Sequence, residues 1–165
     1  LITFNDLAAE KIQSRNSAIQ SWFLDMSLLM AYWEGDGART YHHTAPVNSM
    51  YGLHESLLML QEEGLENAWE RHRVMHEMLA VGLEDLGFSY VVEKESDRLP
   101  QLNTVKLPNA IDEKKIRARL LEEYNLEIGA GLGPFAGKVW RIGLMGYSAR
   151  KENIELCLGA LKACI

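Results

Sequence analysis

The chain has 165 residues, 47% of them hydrophobic, which is enough apolar material for one ordinary domain or a small domain joined to part of another, and too much for a disordered chain. Charged residues make up 24% and the net charge is −6, a balance that argues against a general binder of nucleic-acid backbones. No apolar run reaches the roughly 20 residues of a membrane span and the N-terminus lacks the basic-then-apolar layout of a signal peptide, so a soluble, non-secreted chain with no nucleic-acid or membrane partner is expected.

In chain order, residues 1–4 read as a short strand, and Asn5 or Asp6 can cap a helix over 7–14. The stretch "FLDMSLLMAYW", Phe23 to Trp33, is apolar nearly all round and predicts a buried helix closed by the turn material "EGDGA". Tyr41 to Pro46 forms a loop, because Pro46 biases Ala45 away from the helical region, and a helix starts close behind it over about 48–63. Gly64 interrupts. Leu65, Trp69, His72, His76, Leu79 and Leu83 then recur at three- and four-residue steps, predicting a second long helix that stops at Gly87.

The pattern changes at Phe88. "FSYVVE" and "LNTVKL" alternate as strands, "DEKKIRARLLEEYN" is an amphipathic helix capped by Asp112, and "LEIGAG" is a short strand entering a glycine loop. "KVWRIGLMG" is a further strand and residues 150–164 a final helix. Helix, strand, strand, helix, strand, strand, helix describes an α+β layer with helices packed on a mostly antiparallel sheet. A boundary near Glu63 and Gly64 separates a mostly helical front, 1–63, from this back domain, 64–165. Cys157 and Cys164 lie seven apart in the last helix, about 10 Å along one face, too far to bridge, and free thiols fit a reducing compartment. The chain opens without Met in "LITFNDLAAEKI" and ends inside the amphipathic run "LGALKACI" with no Gly or Pro stop, so both ends are expected to be cuts.

Three features could carry chemistry. In the strand Val139 to Leu144, a period of two puts Arg141 on one face with Val139 and Gly143, while Trp140, Ile142 and Leu144 share the other. Beside the missing Gly143 side chain, Arg141 can present its fork to a carboxylate; the alternative is an arginine on the solvent face of a half-exposed strand. "GAGLGPFAG" places glycines at 129, 131, 133 and 137, either an ordinary tight turn or a close backbone approach to whatever Arg141 holds; it opens into a strand rather than a helix, so a dinucleotide fingerprint fails. Tyr41 and Thr44, three apart and backed by Pro46, can both donate to one small anion such as a phosphate, or the loop merely satisfies its neighbours. His72 and His76 at i, i+4 could share a metal, yet no HExxH glutamate or third ligand accompanies them, and a wet helix face is expected. Ser49 and Ser148 lack the G-x-S-x-G elbow of a hydrolase.

Taken together and in order, "YHHTAPV" at 41–47, "GLENAWERHR" at 64–73, "GAGLGP" at 129–134 and "GKVWRIGLMG" at 137–146 resemble the alanine:glyoxylate (serine:pyruvate) aminotransferases, class V members of the pyridoxal-phosphate fold-type I enzymes. The resemblance runs over essentially all 165 residues but only the latter part of that family's chain. It implies the end of an α/β large domain, 1–63, joined to a complete small domain, 64–165, in a homodimer with shared active sites acting on small amino acids and 2-oxo acids. It implies that Tyr41 and Thr44 reach the phosphate of pyridoxal 5'-phosphate in the neighbouring subunit, and that Arg141 holds the substrate α-carboxylate.

The family's cofactor-binding lysine and the aspartate that pairs with the pyridine nitrogen lie upstream of Leu1, and Lys11, in "AAEKIQS", sits in the wrong context, so this chain alone is expected to be inactive. The resemblance further implies a cytoplasmic location in a bacterium, or a peroxisomal or mitochondrial one in a eukaryote. Two rivals remain open: another class V reaction, of the phosphoserine aminotransferase or cysteine desulfurase type, and a non-catalytic dimerisation or binding module. The positions of Cys157 and Cys164 in the terminal helix argue against a desulfurase, which needs its cysteine on a mobile loop.

Overall fold

The computed structural model describes residues 2–34, 41–108 and 111–165. Two compact units divide at His54 and Glu55.

The first unit opens with α1, Asp6–Gln13, where the Asn5 side chain accepts the Ala8 N–H at 3.0 Å and Asp6 and Lys11 complement the helix dipole at its two ends. The strand expected over 1–4 does not form at 2–4: a strand needs a ladder, and all the strand pairs among the described residues lie in the second unit. Helix α2, Met26–Glu34, starts later than Phe23 because Asp25 caps it, its carboxylate accepting from the backbone and hydroxyl of Ser27 and from Leu28 N–H. Those bonds, the Ser27 hydroxyl first, hold the Asp25 carboxyl below its ordinary range.

The expectation of a buried helix here is corrected. Met30 is buried, whereas Phe23, Leu28, Tyr32 and Trp33 are exposed. An all-round apolar pattern states what a helix needs, not what surrounds it, and no described element encloses α2. The turn expected at 35–38 lies outside the described residues. Helix α3, Val47–Glu63, begins directly behind Pro46, whose carbonyl accepts the Met50 N–H at 3.0 Å; it spans the division between the units.

In the second unit the elements follow one another in the order that the sequence pattern predicts. Helix α4 covers Leu65–Asp85, α5 covers Glu113–Tyr124 and α6 covers Lys151–Cys164. Between them run β1, Ser89–Tyr90, β2, Leu102–Lys106, β3, Gly129–Ala130, and β4, Val139–Gly143. The sheet order is β1-β2-β4-β3 with every pair antiparallel, and β4 lies centrally, so Arg141 faces Thr104 on one side and Gly129 on the other.

The strand expected over Phe88 to Glu93 shortens to two residues, because the Arg98 guanidinium takes the Val92 and Glu93 carbonyls out of the ladder. Asp112 caps α5 by accepting the Lys115 N–H at 3.1 Å, and Asn125, left-handed at φ 51°, ends it. One core joins Val105, Trp140 and Ile142 of the sheet to Leu79 and Leu83 of α4, Leu120 of α5, and Ile154 and Leu161 of α6. Among the described residues, no helix is long and apolar enough to cross a membrane.

The wet face expected for His72 and His76 is also corrected: both are buried. Helical spacing identifies which residues share a stripe, and the bonds that let a polar ring enter it come from segments remote in sequence. Cys157 and Cys164 are free thiols, as their spacing along one helix predicts, and both are buried.

Candidate functional site

Arg141 is half-buried in the central strand. Its Nε–H donates to the Ala130 carbonyl at 2.8 Å, across the β3–β4 pair. That single bond fixes the plane of the guanidinium and leaves both terminal amino groups without a protein partner among the described residues. A carboxylate needs the same pair of donors, side by side.

Glycines make the room. A Cβ at Gly143 would meet nothing nearer than the Met145 Cε at 3.6 Å, so the near side of Arg141 is open as its strand pattern predicts. On the opposite side Gly129, the first glycine of the GAGLGPFAG motif, is paired directly with Arg141; a Cβ there would stand 3.3 Å from the Arg141 carbonyl oxygen and 3.6 Å from Nε. Nothing in local spacing reveals a cross-strand neighbour twelve residues away in sequence.

The glycine loop that follows β3 is a tight turn. Gly131 is required by close approach, since a Cβ would lie 2.1 Å from the Phe135 carbonyl oxygen and 2.8 Å from the Val139 Cγ2. The loop therefore sets the β3–β4 hairpin, and with it the Ala130 carbonyl that orients Arg141.

In the first unit, the Tyr41 and Thr44 hydroxyls are hydrogen-bonded to one another, so they converge on one point. The Tyr41 side chain is exposed and its ring meets Tyr32 edge-on, with centroids 6.3 Å apart. The two histidines between them brace this loop. The His42 ring packs tilted against Trp22 with centroids 4.2 Å apart, and its Nε2–H donates to the Trp22 carbonyl at 2.9 Å; its Nδ1 then accepts from His43 Nδ1–H at 2.8 Å, and His43 packs on Phe23. The sequence points to Tyr41 and Thr44 but not to Trp22 and Phe23, whose contacts reach some twenty residues along the chain.

His72 and His76 do not converge on a shared ligand. His72 bonds the Ala68 carbonyl through Nδ1 at 2.6 Å and the Gly146 N–H through Nε2 at 3.0 Å, while His76 Nδ1 donates to the Asn103 Oδ1 at 2.6 Å.

The family model for class-V aminotransferases matches residues 23–155. Along its whole length the chain is 43% identical to alanine–glyoxylate aminotransferase of Callithrix jacchus, of which it covers 40%. A crystal structure of alanine–glyoxylate aminotransferase from a Nostoc species is similar with TM-score 0.89 and 46% identity, covering 98% of this chain and 42% of that one. The ureidoglycine–glyoxylate aminotransferase structure from Bacillus subtilis follows with TM-score 0.88 and 40% identity, covering 98% and 41%. The chain thus spans about 40% of the length of these relatives.

Proposed function

This chain belongs to the class-V aminotransferase family, and from that premise we propose that it forms the C-terminal part of a pyridoxal-phosphate-dependent enzyme moving an amino group from alanine or serine to glyoxylate or pyruvate. The single observation that carries the reading is the Arg141 guanidinium, tethered through Nε to Ala130 with its two terminal amino groups unspent. In this proposal residues to Glu63 complete a large domain and residues from Gly64 form the small one. The enzyme is a homodimer, cytoplasmic in a bacterium or peroxisomal or mitochondrial in a eukaryote.

The residues present fit the cofactor's phosphate end. Two neutral hydroxyls already within bonding distance of each other can both turn their protons toward one oxyanion, and the loop that carries them is braced by packed aromatic rings. Tyr41 and Thr44 would hold the phosphate in the neighbouring subunit, and when bound the cofactor supplies the electron sink for amino-group transfer. Arg141 orients the substrate by its α-carboxylate, which sets the direction of the bond to be broken without taking part in it. The lysine that carries the proton work is proposed to lie outside these 165 residues, which alone would be inactive. A desulfurase reading has no support from the thiols: burial pushes Cys157 up to about 11, and Cys164 is buried as well.

Arg141→Ala in the complete enzyme tests the reading. Charge-assisted hydrogen bonds contribute about 1.5–3 kcal/mol, so kcat/KM for alanine should fall about 10- to 150-fold, with the apparent affinity for alanine weakened. If alanine affinity stays within about twofold of the parent, the carboxylate role is wrong and the dimerisation or binding-module reading gains.

A further inference from the structure

We propose that His72 is a pH-sensitive latch: as a neutral imidazole it holds the turn after β4 against the start of α4, and its protonation lets that turn go. The hydrogen-bond partners leave one tautomer. Ala68 presents a carbonyl, which only accepts, so Nδ1 carries the proton; Gly146 presents an N–H, which only donates, so Nε2 offers its lone pair. A second proton on the ring replaces that acceptor with a donor. The Gly146–His72 bond then becomes a contact between two N–H groups at a side chain only 9% exposed, and a buried donor without an acceptor is costly.

What the latch holds is well defined. Gly146 is left-handed at φ 56°, and both polar groups of this residue are taken by consecutive residues of α4: His72 receives its N–H, and Arg71 Nη1 donates to its carbonyl at 2.8 Å and to the Ala149 carbonyl at 3.1 Å. Upstream, the Leu144 N–H donates to the Gln101 carbonyl at 2.9 Å, and downstream Ile154 and Cys157 root α6 in the core. The segment the latch holds therefore runs from Met145 to about Asn153, between two fixed ends, and its own attachment to the core is the fully buried Ala149.

Charged groups of both signs surround the ring. Arg71, adjacent on α4, and Arg150, on the turn side, both oppose a further positive charge. The Glu63 carboxylate at the end of α3 is attractive but is engaged by Arg71 through Nε and Nη2, Glu62 stands nearby, and Tyr147 is stacked under Arg150. A cavity of about 680 Å³ bounded by these residues gives water a route to the ring.

Hydrogen exchange read by mass spectrometry on the complete protein, at about pH 7.5 and about pH 5.5, tests the latch across the range in which histidine titrates. Protection is expressed relative to an unstructured peptide at the same pH. Segments covering 145–153 should lose at least about tenfold in protection on acidification, with 102–106 and 154–164 unchanged. His72→Gln, whose side-chain oxygen can accept from Gly146 and does not titrate in this range, should abolish the loss. Equal protection of 145–153 at both pH values, a loss spread over the core strands, or the same loss in His72→Gln would each overturn the proposal. Should the variant not fold, the pattern in the parent protein decides by itself, confinement to 145–153 supporting the latch and any other distribution refuting it.

Discussion

Asn103→Leu removes an acceptor shared by two buried donors. Asn103 is fully buried on β2; its Oδ1 accepts from His76 Nδ1–H at 2.6 Å and from the Tyr90 hydroxyl at 2.8 Å, while its Nδ2 donates to the Pro100 carbonyl at 3.2 Å. Leucine is close to asparagine in size, so the apolar packing changes little and the electrostatic loss dominates. Each stranded donor costs about 1–3 kcal/mol, giving about 2–6 kcal/mol in all, and the half-buried Pro100 end adds little because it can recruit water. That is a large share of the roughly 5–15 kcal/mol that separates folded from unfolded domains.

The diagnostic is the coupling. Tyr90→Phe alone should cost about 1 kcal/mol, but in the Asn103→Leu background it deletes a stranded hydroxyl and should be neutral or stabilising. Urea denaturation followed by circular dichroism, with all four members of the cycle compared at constant slope, gives both numbers. An Asn103→Leu cost below about 1 kcal/mol, or a Tyr90→Phe cost equal in the two backgrounds, would refute the shared-acceptor account.

Two further outcomes are expected. Tyr41→Phe in the complete enzyme should weaken pyridoxal phosphate binding about tenfold, the worth of one hydrogen bond to an anion at an exposed position, as read by equilibrium dialysis; unchanged affinity would remove Tyr41 from the phosphate site. Cys157, its pKa raised to about 11 by burial, is thiolate in only about one part in a thousand at pH 8, so iodoacetamide should label it slowly until the pH nears 11 or urea opens the fold. Fast labelling of the native protein at pH 8 would show that the last helix is not packed as described.

Elements with local start and stop signals were legible from residue order. Asn5 before α1 and Asp112 before α5 each satisfy an N–H three residues on, a bond that depends on nothing beyond one helical turn. The alternation Val139 to Gly143 likewise shows Trp140 and Ile142 as one face and Arg141 as the other, and the four-motif resemblance marks Arg141, Tyr41 and Thr44.

Contacts reaching across the fold were not legible in that way. His72 looked like surface because its partner, the Gly146 amide, stands 74 residues away, and His76 because Asn103 stands 27 away. Helix α2 looked buried because apolar periodicity records a demand for cover and not its supply. By itself, residue order determined the family and the α+β succession of the second unit, and it singled out Arg141, Tyr41 and Thr44 as candidates for binding a carboxylate and a phosphate. Only the tertiary structure decided how those groups are held: the Ala130 carbonyl that fixes the plane of Arg141, the tilted rings packed beneath the Tyr41 loop, and the remote Gly146 amide that meets the buried His72. The physical reason is that a hydrogen bond is set by the distance and direction between two groups in space, and for residues tens of positions apart those exist only once the chain has folded.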